Sequence, residues 1–199
     1  KAMVTHGFVQ ATMDRGIQRM TSIRFADRKV IADDFMVEQL TSRMHGRIIT
    51  WPHGKKPMLI TVPEHRNNAS WALIKTRVGQ ESYGMLLRDT YGKGEMLTLA
   101  VPDAFSDLYR LPVDVLTRLR AALPVNGVYL EGEPLISLFH YDNDAFILYP
   151  YVDEGCQPSI CRIHAPADVK ALDMPVAGRQ LKPLYTDETE SVFEFRAMP

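Results

Sequence analysis

A chain of 199 residues can bury one sizeable core or two small ones, and 46% hydrophobic with 24% charged side chains is ordinary for a globular protein. A formal charge of −1 supplies no field to gather nucleic acid or an anionic membrane surface. No apolar run approaches the roughly 20 residues of a membrane-spanning helix, so neither nucleic acid nor a membrane is an expected partner.

Taken in chain order, Phe8–Met20 carries Phe8, Val9, Met13, Ile17 and Met20 at helical spacing, interrupted by Gly16. Ile23–Phe25 and Lys29–Ala32 read as short strands joined by the turn-like Ala26-Asp27-Arg28. Asp34–Met44, with Phe35, Met36, Leu40 and Met44 as an apolar stripe, predicts a helix. Arg47–Trp51 and Met58–Val62 read as strands, ended by Pro52 and Pro63. After the polar loop Glu64–Ser70, Trp71–Val78 alternates: Trp71, Leu73, Lys75 and Arg77 share one side. Tyr83–Val101 is a hairpin about Gly92-Lys93-Gly94, where glycine supplies the positive φ a short loop needs. Pro112 opens a helix with Val115, Leu116, Leu119, Ala122 and Leu123 as its stripe, stopped by Pro124.

The Asn126-Gly127 turn marks the expected domain boundary. Beyond it VYLE, LISLFHY, AFILYPYV, SICRIHA and SVFEFRA are strand-length, rich in β-branched or aromatic residues and separated by turn signals. The expected fold is α+β and β-rich. Residues 1–125 form a mixed, mostly antiparallel sheet with helices, and residues 127–199 form a small antiparallel β-sandwich. Cys156 and Cys161 read as two separate thiols, and two cysteines are too few ligands for a metal site. Opening on Lys1 with helical spacing close behind, the chain is expected to be a region of a longer protein.

No nucleophile elbow G-x-S-x-G and no H-E-x-x-H pair is present. His45, His53 and His65 fall close in sequence and are read as separate loop residues. Gly92-Lys93-Gly94 is followed by a strand, which excludes a phosphate-binding P-loop. Asp33, Asp34, Glu64, Asp89, Asp103 and Asp107 could supply paired carboxylates, but none stands out; Asp103 and Asp107 read as helix-entry caps. His140–Asp144 reads as a hairpin turn, since Asx side chains bond their own backbone. Tyr149 and Tyr151, two apart on a strand, share a face and read as packed into the sheet. No catalytic residue, metal ligand or cofactor is assigned. The candidate binding residues are Trp51, Trp71, Tyr141, Asp142, Asn143 and Asp144: aromatics to stack on sugar rings, Asp and Asn to bond hydroxyls.

YGKGEMLTLAVPDAFSDLYRLP (Tyr91–Pro112) and PLISLFHYDNDAFILYPYVDE (Pro134–Glu154) resemble the non-catalytic C-terminal part of bacterial glycoside-processing proteins of the family-42 beta-galactosidase type. The resemblance covers about half of the chain. It implies an amidotransferase-like region ending in a Gly-Lys-Gly hairpin, then a small sandwich, with the catalytic carboxylates on a barrel that this chain lacks. The expected function is therefore a non-catalytic accessory region of a carbohydrate-active protein, giving structural support, subunit contact or weak glycan binding. The expected partners are a glycan, neighbouring domains of the same chain or further copies of it. The alternatives are a hydrolase acting on glycosides through paired carboxylates, or a pure assembly module marked by an exposed apolar patch.

Overall fold

The computed structural model describes residues 1–32, 34–37, 47–50, 57–66, 69–124, 126–151 and 159–197, with the side chains of 47–50 and 197 excepted. The fold is α+β and β-rich, a mixed sheet and several antiparallel sheets with few helices. The chain divides into two compact units, Lys1–Arg118 and Leu119–Pro199, and the division falls within a helix.

The first unit opens with β1 (Ala2–Thr5) and α1 (His6–Ala11). Thr5 caps α1 by accepting the Phe8 N–H at 3.2 Å. The helix stops well short of the expected Met20: two single 3₁₀ turns follow, broken at Gly16, whose φ of +96° no continuing helix accommodates. β2 (Arg24–Ala32) is one strand rather than two, because its ladder to β5 (Met58–Glu64) closes again beyond a bulge at Phe25–Asp27. β3 (Asp34–Val37) replaces the start of the expected helix. Its backbone pairs with both β4 (Arg47–Thr50) and β6 (Ser70–Val78), and that pairing overrides helical spacing. β7 (Glu81–Tyr91) and β8 (Gly94–Leu99) form the expected hairpin, with Gly92 at φ +57° in its turn. The sheet order is β1-β8-β7-β6-β3-β4; only β1 runs parallel, against β8.

β5 continues through Pro63 to Glu64, so the proline did not end it; the bulged partner strand offers no bond there for the missing N–H. β2 contacts β6 and β5 contacts β7; Val30, Ala32, Met58, Ile60 and Val62 of the pair are buried, as are Ile74, Met85, Leu86 and Leu87 of the larger sheet. Strict alternation fails in β6. Leu73 has no residue opposite it on β7, and Ala72, Leu73 and Ile74 are all buried. α2 (Val113–Ala122) follows Pro112 as expected.

The second unit holds all five expected strands. β9 (Tyr129–Glu131), β12 (Ser159–Pro166) and β16 (Glu190–Ala197) join β15 (Tyr185–Thr186) in the order β15-β16-β12-β9. Two hairpins cover one face of this sheet: β10 (Ile136–His140) with β11 (Phe146–Pro150), and β13 (Leu172–Met174) with β14 (Arg179–Leu181). Leu130, Cys161, Ile163 and Phe195 from the sheet meet Ile136, Leu138, Phe146, Leu148, Leu172 and Leu181 from the hairpins. Asn126 (φ +49°) and Gly127 (φ +79°) make the turn into β9. The Arg120 guanidinium fixes the approach to β10. It donates to the carbonyls of Gly132, Glu133 and Ile136 at 2.8, 3.1 and 3.1 Å. Cys156 lies outside the described residues; Cys161 is buried in the sandwich core.

Candidate functional site

The β10–β11 hairpin has two unlike faces. Its register pairs Ser137 with Tyr149, Leu138 with Leu148 and Phe139 with Ile147. Side chains alternate across a strand, so Ile136, Leu138, Phe146 and Leu148 enter the core while Phe139, Ile147 and Tyr149 point away from it. Leu135 and Tyr141 on one limb and Tyr151 on the other extend the outward face. Tyr151 N–H donates to the Leu135 carbonyl at 2.7 Å, and Tyr141 N–H to Ala145 at 2.8 Å. Tyr149 is 52% exposed and Tyr151 53%, with ring centroids 4.7 Å apart and planes at 68°. The expectation that this pair packs into the sheet is thus overturned. The opposite face of the same strand already supplies the core, which leaves the tyrosines in water.

The tip of this hairpin is the Asp142–Asp144 turn. Asn143 Oδ1 accepts the Ala145 N–H at 3.3 Å, and Asp144 stands at φ +57°. Asp142, Asn143 and Asp144 are exposed beside Tyr141, so four of the six predicted residues sit together. Trp71 lies on β6 in the first unit, 54% exposed and opposite Arg88. Trp51 falls outside the described residues, as do His45, His53 and Asp33.

The carboxylates have other partners. Asp103 is not a helix cap; it bonds Lys29 Nζ at 2.6 Å and Thr61 Oγ1 at 3.0 Å, two residues paired within the β2–β5 ladder. The Lys29 ammonium is the main reason its carboxyl lies below the usual range. Asp107 pairs with Arg110 at 2.9 Å within a 3₁₀ turn. Asp89 is 3% exposed and accepts from Thr21, Ser22 and Ser70. Glu95 is held down chiefly by Lys1, and Glu131 chiefly by His164.

His164 was not legible as a special residue. It is 7% exposed on the non-core face of the four-stranded sheet. Its Nδ1 lies 3.0 Å from Glu190 and its Nε2 3.0 Å from Glu131. The Tyr129 ring stacks on it at 4.3 Å, and the Tyr129 hydroxyl donates to Glu190 at 3.1 Å. Arg162 bridges Glu131 at 2.6 Å and Glu194 at 2.9 Å. A row of cross-strand pairs joins β9, β12 and β16.

Two groups were not assigned as sites from the sequence. The first is the outward set Phe139, Ile147, Tyr149 and Tyr151, whose signal was the two-residue alternation shared by both limbs of one hairpin. The second is the His164 network, whose members come from distant strands and leave no local signal.

No family model matches the chain, and no curated protein matches it. Among solved structures, the crystal structure of beta-galactosidase from Bacillus circulans sp. alkalophilus is similar at 12% identity with a TM-score of 0.29. That match covers 98% of this chain and 32% of the other, so this chain spans about a third of that protein's length.

Proposed function

We propose that this chain is a non-catalytic accessory region of a larger carbohydrate-active protein, and that its β10–β11 hairpin contacts glycan. The exposed tyrosine face carries this reading. Sugar rings present flat C–H faces, and an aromatic face kept out of the core is the surface that stacks on them. Tyr141, Tyr149 and Tyr151 supply rings, with Phe139 and Ile147 between them. Asp142, Asn143 and Asp144 at the tip offer carboxylate and amide groups to hydroxyls. On the first unit, Trp71 offers an exposed indole.

The shifted carboxylates among the described residues lend no support to a hydrolytic reading. A glycosidic general acid needs a raised pKa. Glu95, Asp103 and Glu131 move the other way, each held ionised by a cationic partner.

Affinity electrophoresis through neutral polysaccharides tests the proposal. Retardation by at least one glycan is expected. Tyr149→Ala with Tyr151→Ala should weaken it by roughly tenfold or more, about 1.4 kcal/mol, with an unchanged circular dichroism spectrum. Retardation that survives the double substitution would overturn the hairpin as the contact. A double variant that instead turns an oligomer into a monomer would replace glycan binding with assembly.

A further inference from the structure

The first unit contains a cleft where its strand ladders are irregular. In β5 the imide nitrogen of Pro63 has no hydrogen to donate, and opposite it β2 swings out: Arg24 pairs with Glu64 and Arg28 with Val62, leaving Phe25, Ala26 and Asp27 against Pro63 alone. In β7, Met85 has no residue opposite it on β6, and Gly84 precedes it. The three irregular places meet around a cleft of about 330 Å³, lined by Ala26, Arg28, Pro63, Glu64, His65 and Tyr83 among others. That volume is at the low end of small-molecule sites, room for one sugar ring rather than a chain.

The lining has a definite chemistry. Arg28 Nη2 donates to Tyr83 Oη at 2.5 Å and to Glu81 Oε2 at 3.1 Å, and its guanidinium lies 4.6 Å from the Tyr83 ring centroid. The Tyr83 hydroxyl also bonds Glu81, so one rim is a braced Arg-Tyr-Glu set. Gly84 leaves space for the imidazole: a Cβ there would lie 3.3 Å from His65 Cε1 and 2.5 Å from Leu87 Cδ2. Among the lining residues Arg28 is positive and Glu64 negative, and Glu81, bonded to Arg28, adds a second carboxylate beside them. An anion is disfavoured there. Hydroxyl groups, which both donate and accept, suit a wall that offers a guanidinium, a carboxylate, an imidazole, a phenol and the Ser82 hydroxyl.

We propose that this cleft binds a neutral polyhydroxylated ligand, a single pyranose ring or a polyol of that size, with Arg28, Glu64, His65 and Tyr83 as its polar contacts. The site stands independently of the tyrosine hairpin.

Amide-resolved NMR of the full chain tests it, with methyl glucoside and methyl galactoside as neutral probes, glucosamine as a cation and glucuronate as an anion. Millimolar binding by a neutral probe is expected, moving the amides of Ala26, Glu64, His65 and Ser82–Gly84. Glucuronate should bind at least roughly tenfold more weakly. Glu64→Gln and Tyr83→Phe, both mild enough to fold, should each weaken the neutral probe several-fold. Tyr149→Ala should leave it unchanged. Failure of every neutral probe to move these amides, equal or tighter binding of glucuronate, or response to glucosamine alone would each overturn the proposal. A loss of cleft binding would leave the hairpin reading untouched, and the reverse holds.

Discussion

Asp89→Ala is expected to destabilise the first unit by about 3–5 kcal/mol, the largest effect of a single substitution foreseen in this protein. Aspartate is a poor strand residue, yet Asp89 sits in β7 with 3% of its surface exposed. Its Oδ2 accepts from Thr21 Oγ1 at 2.8 Å, and its Oδ1 from Ser70 Oγ at 2.6 Å and the Ser22 N–H at 3.3 Å. Thr21 Oγ1 in turn accepts the Ile23 N–H at 3.0 Å. The carboxylate thereby ties the segment before β2 to β6 and β7. It also seats Ile23 in a cluster with Val9, Ala72 and Leu87. Alanine removes the acceptor of the buried Thr21 hydroxyl and of the half-buried Ser22 N–H and leaves Ser70 only its contact with the Ser22 hydroxyl, and leaving a buried group unpaired costs more than the bond contributes net. Asparagine retains one acceptor oxygen and should cost about 1–2 kcal/mol. Denaturant unfolding of both variants measures this. A loss below about 1 kcal/mol for alanine would mean that the carboxylate is not what holds the segment.

The second large effect concerns His164 and pH. Burial alone would push its imidazole down. The bonds to Glu131 and Glu190 and their charges overcome that and raise it above the ordinary 6.5. Only the imidazolium has an N–H for each carboxylate, so the two contacts favour the protonated ring. Arg162, Glu194, Tyr129 and Tyr185 complete its charged and titratable surroundings on β9, β12, β15 and β16. Because the folded pKa is raised, the contribution is complete below about 6.5 and lost as pH rises through the folded value. Glu131 works from the other side. Its lowered pKa makes its contribution complete above the usual carboxylate range and lost as pH falls through the folded value. His6, in the first unit, is lowered by burial, so its contribution is lost on acidification and must be separated from that of His164. His164→Leu is expected to cost about 2–4 kcal/mol near pH 6, and the gap to the parent protein should narrow towards pH 9. Thermal melts of both proteins across that range measure it. A gap that is constant or widens with pH would show that the ring is held neutral.

The last third of the chain was the most legible part. β9, β10, β11, β12 and β16 are short β-branched or aromatic runs between turn residues, and that local signal matches their final pairing. Elements fixed by distant partners were not legible. β1 is four residues that take strand form beside β8, nearly a hundred positions away. Phe35 and Met36 fit a helical stripe or a strand equally well, and pairing of β3 with β6 decides for the strand. The sharing of a face by Tyr149 and Tyr151 was legible from period two. Which face met water was not, because that depends on where Leu130, Ile163 and Phe195 place the core. Asp89 was visible only as one carboxylate among six, since its hydroxyl partners are spread over residues 21–70.

Chemical-shift mapping with neutral oligosaccharides would locate glycan contact on the tyrosine hairpin residue by residue. A bound oligosaccharide is expected to move the amides of residues 135–151, most strongly at Phe139, Tyr141, Ile147, Tyr149 and Tyr151, and to leave β12 and β16 nearly still. Binding that leaves this hairpin unmoved, or no binding across a broad panel of neutral glycans, would contradict it.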